Sequence, residues 1–328
     1  MSGCWFGCAA LGVAIAMMAS SFAPVPLTMQ DPHATPPKNP IRPSGSGLSS
    51  DLGGAKKTGD QLVKVTATAN TQEVSPGETF YLAFLFEIEP HWHIYWKNSG
   101  SSGAPTEIKM NAPAGFVVGK TLFPRPTAFA EEDGATFGYQ DKVALFVEVT
   151  APIDLPSGSV MFNAKVNWLV CKDVCLMGRS SQVVTLNTKP GSSGGKLGAP
   201  PKGSSASGSA TTISATFQDP FVQKCFHRIP EAMSNQADAK LSFDKQSLVI
   251  KLPAQGLREA EFFPVDCPGV TFGEARVSGS GEHLVLTVPI NINPQNSQGK
   301  PPVAAGMIGL GKGLDDPCFE FEHPLSTP

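Results

Sequence analysis

Two cysteines near the middle of the chain have a spacing that could support redox chemistry. Cys171 and Cys175 close the segment Asn167–Cys175, which follows a run that alternates between apolar and polar residues from Phe162 onwards. An alternation with a period of two is typical of a half-buried strand. The next apolar run, Val183–Leu186, predicts a second strand. We therefore expect the two cysteines to lie at or near the turn between two paired strands.

The conformation between the cysteines decides whether their sulfurs can meet. On one extended strand, four residue steps would separate the Cα atoms by roughly 13 Å, beyond the ~7 Å limit for a disulfide. With Lys172–Asp173–Val174 as the turn, Cys171 and Cys175 would instead face each other, because opposed residues of an antiparallel pair lie about 4.5–5.5 Å apart. A single helical turn would also bring them together, although the valine-rich context disfavours a helix.

A disulfide between these residues would close a very small ring. Loop entropy gives a ring of about five residues only about 2 kcal/mol of stabilisation, against about 4.7 kcal/mol for a ring of about a hundred. Short, strained and exposed disulfides exchange readily with other thiols. We therefore favour redox exchange by Cys171 and Cys175, with a structural disulfide, metal binding and free thiols as the alternatives. Lys172 favours a thiolate and Asp173 opposes it, so the sequence does not predict the pKa of either thiol.

The composition excludes some classes of function. The chain has 328 residues, enough for two ordinary domains, and a net charge of −3. Lys and Arg are scattered, so no nucleic-acid surface is predicted. Residues 5–18 form an uncharged apolar run followed by Ser21-Phe22-Ala23, which is typical of a secretory signal peptide with its cleavage site. We expect residues 1–23 to be this signal and the protein to be exported, with an uncleaved N-terminal tether as the alternative.

Two tracts rich in Pro, Gly and Ser divide the remaining chain. Residues 24–60 are predicted to be a disordered spacer and residues 189–212 a flexible linker, because neither tract has enough apolar residues to form a core. Residues 61–188 contain several alternating runs separated by turn residues, at a spacing typical of a β-sandwich. The predicted fold class is mostly β, with an immunoglobulin-like β-sandwich as the first domain.

Residues 213–326 are predicted to form a second, smaller β domain with one short helix. Asp219 followed by Pro220 is typical of a helix start, and the helix should end before Pro230. Strands are predicted at 246–252, 270–277, 283–289 and 303–309.

Five cysteines would remain after signal cleavage, and the odd number leaves at least one thiol unpaired within the chain. Cys225 lies on the predicted helix and is expected to be a core residue. Cys267 and Cys318 each adjoin a proline and could bridge, although the pairing cannot be derived from the sequence.

The segment His91–Pro105 is rich in aromatic residues and histidine. His91 and His93 are predicted to point to one face of a strand, and together with Cys171 and Cys175 they could hold copper or zinc. We favour the other interpretation, in which the neighbouring aromatic side chains pack in the sandwich and the imidazoles form local hydrogen bonds.

The same segment resembles a known signature. Trp92–Trp96, followed by Asn98, Gly100 and Ser102–Pro105, is similar to the W-H-x-Y-W…N-x-G…S-G-x-P pattern of the DsbD amino-terminal domain family, in the suppressor-of-copper-sensitivity variety. In the second domain, Glu261–Pro264 resembles a Phe-Phe-Pro segment of the family. Three later stretches of the first domain also agree with the family pattern, namely Phe123–Pro126, Phe137–Tyr139 and Val166–Cys175.

This resemblance implies a function for the cysteine pair. Cys171 and Cys175 would pass reducing equivalents from a membrane electron-transfer protein to periplasmic thioredoxin-like or disulfide-isomerase proteins, in processes such as cytochrome c biogenesis and copper tolerance. It also implies an aromatic cap over the disulfide, for which Phe129 and Tyr139 are the candidates. No cofactor and no small-molecule substrate are expected.

The sequence departs from the family in several places. The eight membrane spans and the thioredoxin-like domain of full DsbD are not found in these 328 residues, so a separate electron donor is expected. His91 replaces a glycine that the family often has, and Asn167 replaces an aspartate. The alternative function is a non-enzymatic module that binds a partner or copper, with a merely structural bond between Cys171 and Cys175.

Overall fold

A computed structural model describes residues 57–131, 134–189, 215–236, 239–244, 246–254, 256–279, 282–296 and 301–325, which all belong to one compact unit. The predicted signal peptide 1–23, residues 24–56 of the predicted spacer and residues 190–212 of the predicted linker lie outside these ranges. Within them, no helix combines the length and the apolar character that a membrane crossing requires.

The first β region begins with a single helical turn, α1 (Gly59–Leu62), and continues with strands of period-two burial. Its strands are β1 (Val63–Ala69), β2 (Glu73–Val74), β3 (Thr79–Ile88), β4 (His93–Gly100), β5 (Glu107–Asn111), β6 (Val117–Leu122), β7 (Thr127–Glu131), β8 (Gly134–Gln140), β9 (Lys142–Thr150), β10 (Gly158–Cys171) and β11 (Cys175–Thr188).

These strands form two sheets that pack face to face. One sheet has the order β1-β3-β9-β6, and the other has the order β2-β11-β10-β4-β8-β7 with β5 also paired to β10. Aromatic side chains from β3 and β10 meet between the sheets: the ring centroids of Phe86 and Trp168 lie 6.1 Å apart, and those of Phe80 and Phe162 lie 5.6 Å apart. The predicted immunoglobulin-like sandwich is confirmed.

The second β region contains a short helix α2 (Pro220–Phe226), two 3-10 turns at Met233–Asn235 and Pro294–Asn296, and further strands. The sheet orders are β12-β20-β19-β15 and β13-β14-β18-β16, with β17 also paired to β18. These strands are β12 (Glu231–Ala232), β13 (Lys240–Phe243), β14 (Ser247–Pro253), β15 (Ala260–Pro264), β16 (Val270–Phe272), β17 (Arg276–Ser278), β18 (His283–Ile292), β19 (Val303–Leu310) and β20 (Cys318–Pro324).

The helix of the second region lies against the first. The Asp219 side chain accepts hydrogen bonds from the backbone N–H groups of Phe221 and Val222, at 2.8 and 3.2 Å, so the predicted helix start is confirmed. Phe226 then packs on Phe146 of β9 with ring centroids 5.1 Å apart. Cys225 is buried in the same cluster, as predicted for a core residue.

One predicted strand is wrong as a single element. Residues 270–277 divide into β16 and β17, which pair with different parts of β18. Pro289 of β18 lies between the two pairings and has no N–H to donate, so the ladder is interrupted there. Gly273 donates its N–H to the Pro289 carbonyl at 2.8 Å instead. The strands predicted at 246–252, 283–289 and 303–309 are confirmed with small shifts of their ends.

A buried arginine joins the two β regions. The guanidinium of Arg125 donates hydrogen bonds to the carbonyl oxygens of Leu310, Gly311 and Gly313 at 2.7–2.9 Å, and to the Glu261 carboxylate at 2.8 Å. Arg125 is 2% exposed. Because a buried guanidinium needs partners for its donors, this position anchors the loop between β19 and β20.

Aromatic packing completes the same junction. Phe263 of β15 lies against Trp96 and Phe137, with ring centroids 6.2 and 5.6 Å away. The side chain of Asn98 donates to the carbonyl of Pro264 at 2.8 Å. Several residues on which the family resemblance rests therefore build the contact between the two β regions rather than surround the cysteines.

Candidate functional site

The two cysteines close a long hairpin. Strands β10 and β11 pair from Gly158 opposite Thr188 up to Cys171 opposite Cys175. The turn has three residues, and Lys172 donates its backbone N–H to the carbonyl of Val174 at 3.2 Å. The cysteines form a disulfide with an S–S distance of 2.01 Å and a Cα–Cα distance of 4.2 Å. The predicted turn and the predicted opposition of the cysteines are confirmed.

A histidine continues the row of the two cysteines across the sheet. Strand β4 pairs with β10 on the side away from β11, and His93 is the register partner of Cys171. Directly opposed residues of neighbouring strands project to the same face. Cys175, Cys171 and His93 therefore lie side by side on the outer face of this sheet, while Trp168 and Val170 point into the core.

Two aromatic rings hold the imidazole of His93. The ring of Phe129 stacks on it with centroids 5.0 Å apart and an interplanar angle of 27°, and the ring of Tyr95 meets it edge-on at 5.1 Å. The Tyr95 hydroxyl lies 4.0 Å from the Cys175 sulfur. Gly103, with φ of +88°, lies directly on the Tyr95 ring, where a Cβ atom would clash. Sequence reasoning missed this role of Tyr95, although its two-residue spacing from His93 places both on one face of a strand.

The hairpin that carries Phe129 is tied to the loop after β4. The Glu131 carboxylate accepts hydrogen bonds from the hydroxyl groups of Ser102 and Thr136, both at 3.0 Å. These bonds join the end of β7 to its neighbours, so they fix the position from which Phe129 reaches the imidazole.

The two sulfurs differ in their access to solvent. Cys171 is 2% exposed, whereas Cys175 is exposed to solvent. The neighbours of Cys175 along the chain are also exposed and apolar, with Val174 at 61% and Met177 at 83%. A sulfur of another protein can therefore approach Cys175 but not Cys171 in this conformation.

Burial shifts the pKa values of the two ring side chains beside the disulfide. Burial lowers the pKa of His93, although the Glu131 carboxylate opposes this effect. Burial raises the pKa of Tyr95. The Nε2 atom of His93 is buried and has no hydrogen-bond partner among the residues that the structure describes.

The second cap candidate occupies a different environment. Tyr139 is 6% exposed and lies on β8 opposite Ile94, whose side chain is in the sandwich core. Its hydroxyl donates to the carbonyl of Pro124 at 2.7 Å, and burial raises its pKa well above the usual value. The structure thus brings Phe129 to the row of cysteines and histidine and places Tyr139 in the core.

The predicted alignment of His91 with His93 is wrong. Strand β4 begins at His93, and His91 is an exposed turn residue with a φ of +69°. The chain reverses here, since the backbone N–H of Trp92 donates to the carbonyl of Glu89 at 3.0 Å. Within the described ranges, no group of three or more His, Cys, Asp or Glu side chains is arranged to hold a metal ion.

The other described cysteines are free and buried. Cys225, Cys267 and Cys318 form no disulfide, so the bridge considered between Cys267 and Cys318 is absent. Burial raises the pKa of all three thiols, to about 12 for Cys318. Since the thiolate is the reactive form, these cysteines do not compete with Cys175 for exchange.

Comparison with known proteins agrees with this geometry. The family model described as "Thiol:disulfide interchange protein DsbD, N-terminal" matches residues 59–187. The solved N-terminal periplasmic domain of ScsB from Proteus mirabilis is 15% identical, with a TM-score of 0.52 over 82% of this chain and 95% of that one, which shows a shared fold.

Other matches are weaker. The sporulation control protein Spo0M from Bacillus subtilis is 10% identical, with a TM-score of 0.20 over 75% of this chain and 89% of its own, which is too low to support any inference. No curated protein matches the chain. Residues 59–187, which carry the Cys171–Cys175 disulfide, belong to the DsbD amino-terminal domain family.

Proposed function

We propose that the protein is a thiol–disulfide interchange module in which Cys175 exchanges with a partner and Cys171 closes the disulfide. The observation that carries this proposal is the difference in exposure between the two sulfurs of one small ring. Membership of a family named for thiol:disulfide interchange supports it.

The exchange transfers two electrons in two steps. In the reduced protein, the Cys175 thiolate attacks one sulfur of a partner disulfide and forms a mixed disulfide, while the other partner sulfur leaves as a thiolate. The Cys171 thiolate then attacks the Cys175 sulfur, so that the Cys171–Cys175 bond forms and the bond to the partner breaks. The partner leaves as a dithiol, and the cysteine pair is oxidised.

Phe129 is the proposed cap over the site. It stacks on His93 next to the cysteines, on the β7–β8 hairpin, where Glu131 accepts one hydrogen bond from Ser102 of the loop after β4 and one from Thr136 of the same hairpin. The Ser102 bond is solvent-exposed, so the end of β7 can move while β8 stays paired with β4. Displacement of Phe129 would uncover the His93 and Cys171 side of the row when a partner docks, and its return would cover that side again.

The proposed partners follow from the family. We place the module in the periplasm, where it accepts electrons from a membrane electron-transfer protein and gives them to thioredoxin-like or disulfide-isomerase proteins. The solved structure similar to this chain is itself described as a periplasmic domain. An oxidising compartment would also suit the disulfide seen here.

Two single-cysteine variants test the assignment of the sulfurs. Cys171→Ala should form a stable mixed disulfide through Cys175 with a thioredoxin that retains only its attacking cysteine, supplied as the mixed disulfide with thionitrobenzoate, because the Cys175 thiolate attacks the thioredoxin sulfur and thionitrobenzoate leaves as a thiolate. Cys175→Ala should form little, because Cys171 is buried. Equal trapping by both variants would contradict the assignment, and a reduction potential of the wild-type pair below about −300 mV would contradict shuttling.

Copper binding by the same face stays a prediction and needs its own experiment. Titration of the reduced protein with Cu(I) distinguishes it from exchange, because stoichiometric binding that is lost in Cys175→Ser would show metal handling. The same variant would form no mixed disulfide through position 175, so both functions can be scored on one pair of proteins.

A further inference from the structure

His93 has a buried ring nitrogen that forms no hydrogen bond with any residue that the structure describes. Its Nε2 atom is shielded from solvent and forms no hydrogen bond within the described ranges. Such atoms are rare in native proteins and call for an explanation. The indole nitrogens of Trp96 and Trp168 are also unpaired, but both rings are packed among apolar neighbours of the core. Only His93 lies beside a redox-active residue.

The sheet places the imidazole next to the buried cysteine. His93 and Cys171 are register partners on neighbouring strands, which lie about 4.8 Å apart, and their side chains project to the same face. Stacking by Phe129 and the edge contact with Tyr95 restrict the rotation of the ring. His93 therefore occupies the position next to Cys171 on the side away from Cys175.

Reduction of the disulfide changes the hydrogen-bonding capacity of Cys171 towards Nε2 of His93. In the disulfide, the Cys171 sulfur has no hydrogen, so Nε2 of a neutral imidazole has no donor beside it. In the dithiol, Cys171 gains an S–H group, and a neutral imidazole nitrogen can accept a hydrogen bond or a proton from it. We propose that His93 accepts the proton of the Cys171 thiol and so makes Cys171 the nucleophile that releases the partner. This inference rests on the function proposed above.

Cys171 needs such an acceptor because it is buried. Cys171 is 2% exposed, so water has little access to its thiol. An apolar environment also disfavours the thiolate. Burial also lowers the pKa of His93 and so favours the neutral imidazole that can accept a proton, while the Glu131 carboxylate favours the protonated form that results. The titratable groups that face the ring are Glu131 on β7, Tyr95 on β4, Cys171 on β10 and Cys175 on β11, and the opposed residue on β8 is the neutral Gln140.

The proposed step balances in atoms and electrons. In the mixed disulfide, the proton of the Cys171 thiol moves to Nε2 of His93, and the sulfur electron pair attacks the Cys175 sulfur. The Cys171–Cys175 bond forms, and the bond between Cys175 and the partner breaks with its electron pair on the partner sulfur. The imidazolium then loses its proton to the leaving thiolate or to solvent.

A two-phase thiol assay separates this step from the first one. Reduced protein mixed with dithiobis-nitrobenzoate releases one coloured thiolate when Cys175 attacks and a second when Cys171 closes the disulfide. We expect His93→Phe, which keeps an aromatic ring for stacking on Phe129, to slow the second phase by about 100-fold and to leave the first unchanged. His93→Gln, which accepts a hydrogen bond but no proton at neutral pH, should slow the second phase similarly.

The pH dependence provides a readout that a packing role would not change. In the wild type, the second phase should become independent of pH once His93 is neutral. In both variants, it should rise about tenfold per pH unit until Cys171 itself ionises. An unchanged second phase in both variants, or equal slowing of the two phases, would overturn the inference. A wild type that releases only one thiolate would contradict the exchange function itself, and the inference with it.

Discussion

Replacement of Met177 by lysine should weaken exchange with a protein partner while the chemistry of the disulfide stays the same. Met177 follows Cys175 by two residues on β11, so their Cα atoms lie about 6.6 Å apart and their side chains project to one face. A protein whose sulfur reaches Cys175 must therefore cover Met177, which is 83% exposed in the free protein. Placing a charge there should cost about 1–2 kcal/mol of docking free energy, or about 5–30-fold in rate.

The assay compares a protein partner with a small thiol. The rate at which the reduced module reduces an oxidised thioredoxin should fall in Met177→Lys. The rate at which dithiothreitol reduces the oxidised module should stay within twofold, because a small thiol need not cover Met177. Both proteins should unfold within about 0.5 kcal/mol of each other, as is usual for an exposed position.

The hairpin offers a matched control. Met161 is a second exposed methionine on β10, 53% exposed, and it lies ten residues before Cys171, or about 33 Å along the strand. Met161→Lys adds the same charge to the same sheet and should leave both rates unchanged. Equal slowing by the two substitutions would refute the reasoning, since the effect would then reflect net charge rather than contact beside the sulfur.

Three further substitutions test the fold around the site. Arg125→Leu leaves the carbonyl oxygens of Leu310, Gly311 and Gly313 without their guanidinium donors and should lower the free energy of unfolding by about 3–5 kcal/mol in a urea titration; a loss below about 1 kcal/mol would contradict the buried anchor. In His91→Gly, removal of the left-handed strain should stabilise the fold by about 1–2 kcal/mol, while the greater chain entropy of glycine in the unfolded state should cost about 0.5–1 kcal/mol. The melting temperature should therefore rise slightly. Gly103→Ala displaces the Tyr95 ring and should destabilise by about 2 kcal/mol, measured by the same urea titration.

The geometry of the cysteine hairpin could be predicted because the possibilities were few. Once the run before Cys171 was identified as a strand, only a turn at 172–174 could bring the two sulfurs within bonding distance without a helix. The sandwich was equally accessible, because every second residue of β3 and β10 is apolar and buried. Local periodicity carries this information, so no tertiary contact had to be known in advance.

Contacts between distant segments could not be predicted in the same way. Nothing in the spacing of His93 indicates that β4 adopts the register that sets it beside Cys171, because 78 residues separate the two positions in the chain. The division of the strand predicted at 270–277 depends on Pro289 in its partner strand. The left-handed conformation of His91 was also not predicted, because it depends on the turn that Glu89 and Trp92 close before β4 begins.

The contact of β4 with the second β region has a practical consequence for work on shorter versions of the protein. One end of β4 carries His93 and Tyr95, while Trp96 and Asn98 further along it are covered by Phe263 and Pro264. A chain cut after residue 188 would present that apolar surface to water and invite aggregation. Redox measurements on such a fragment would therefore be made on a sandwich that lacks its packing partner at the far end of the strand that carries His93.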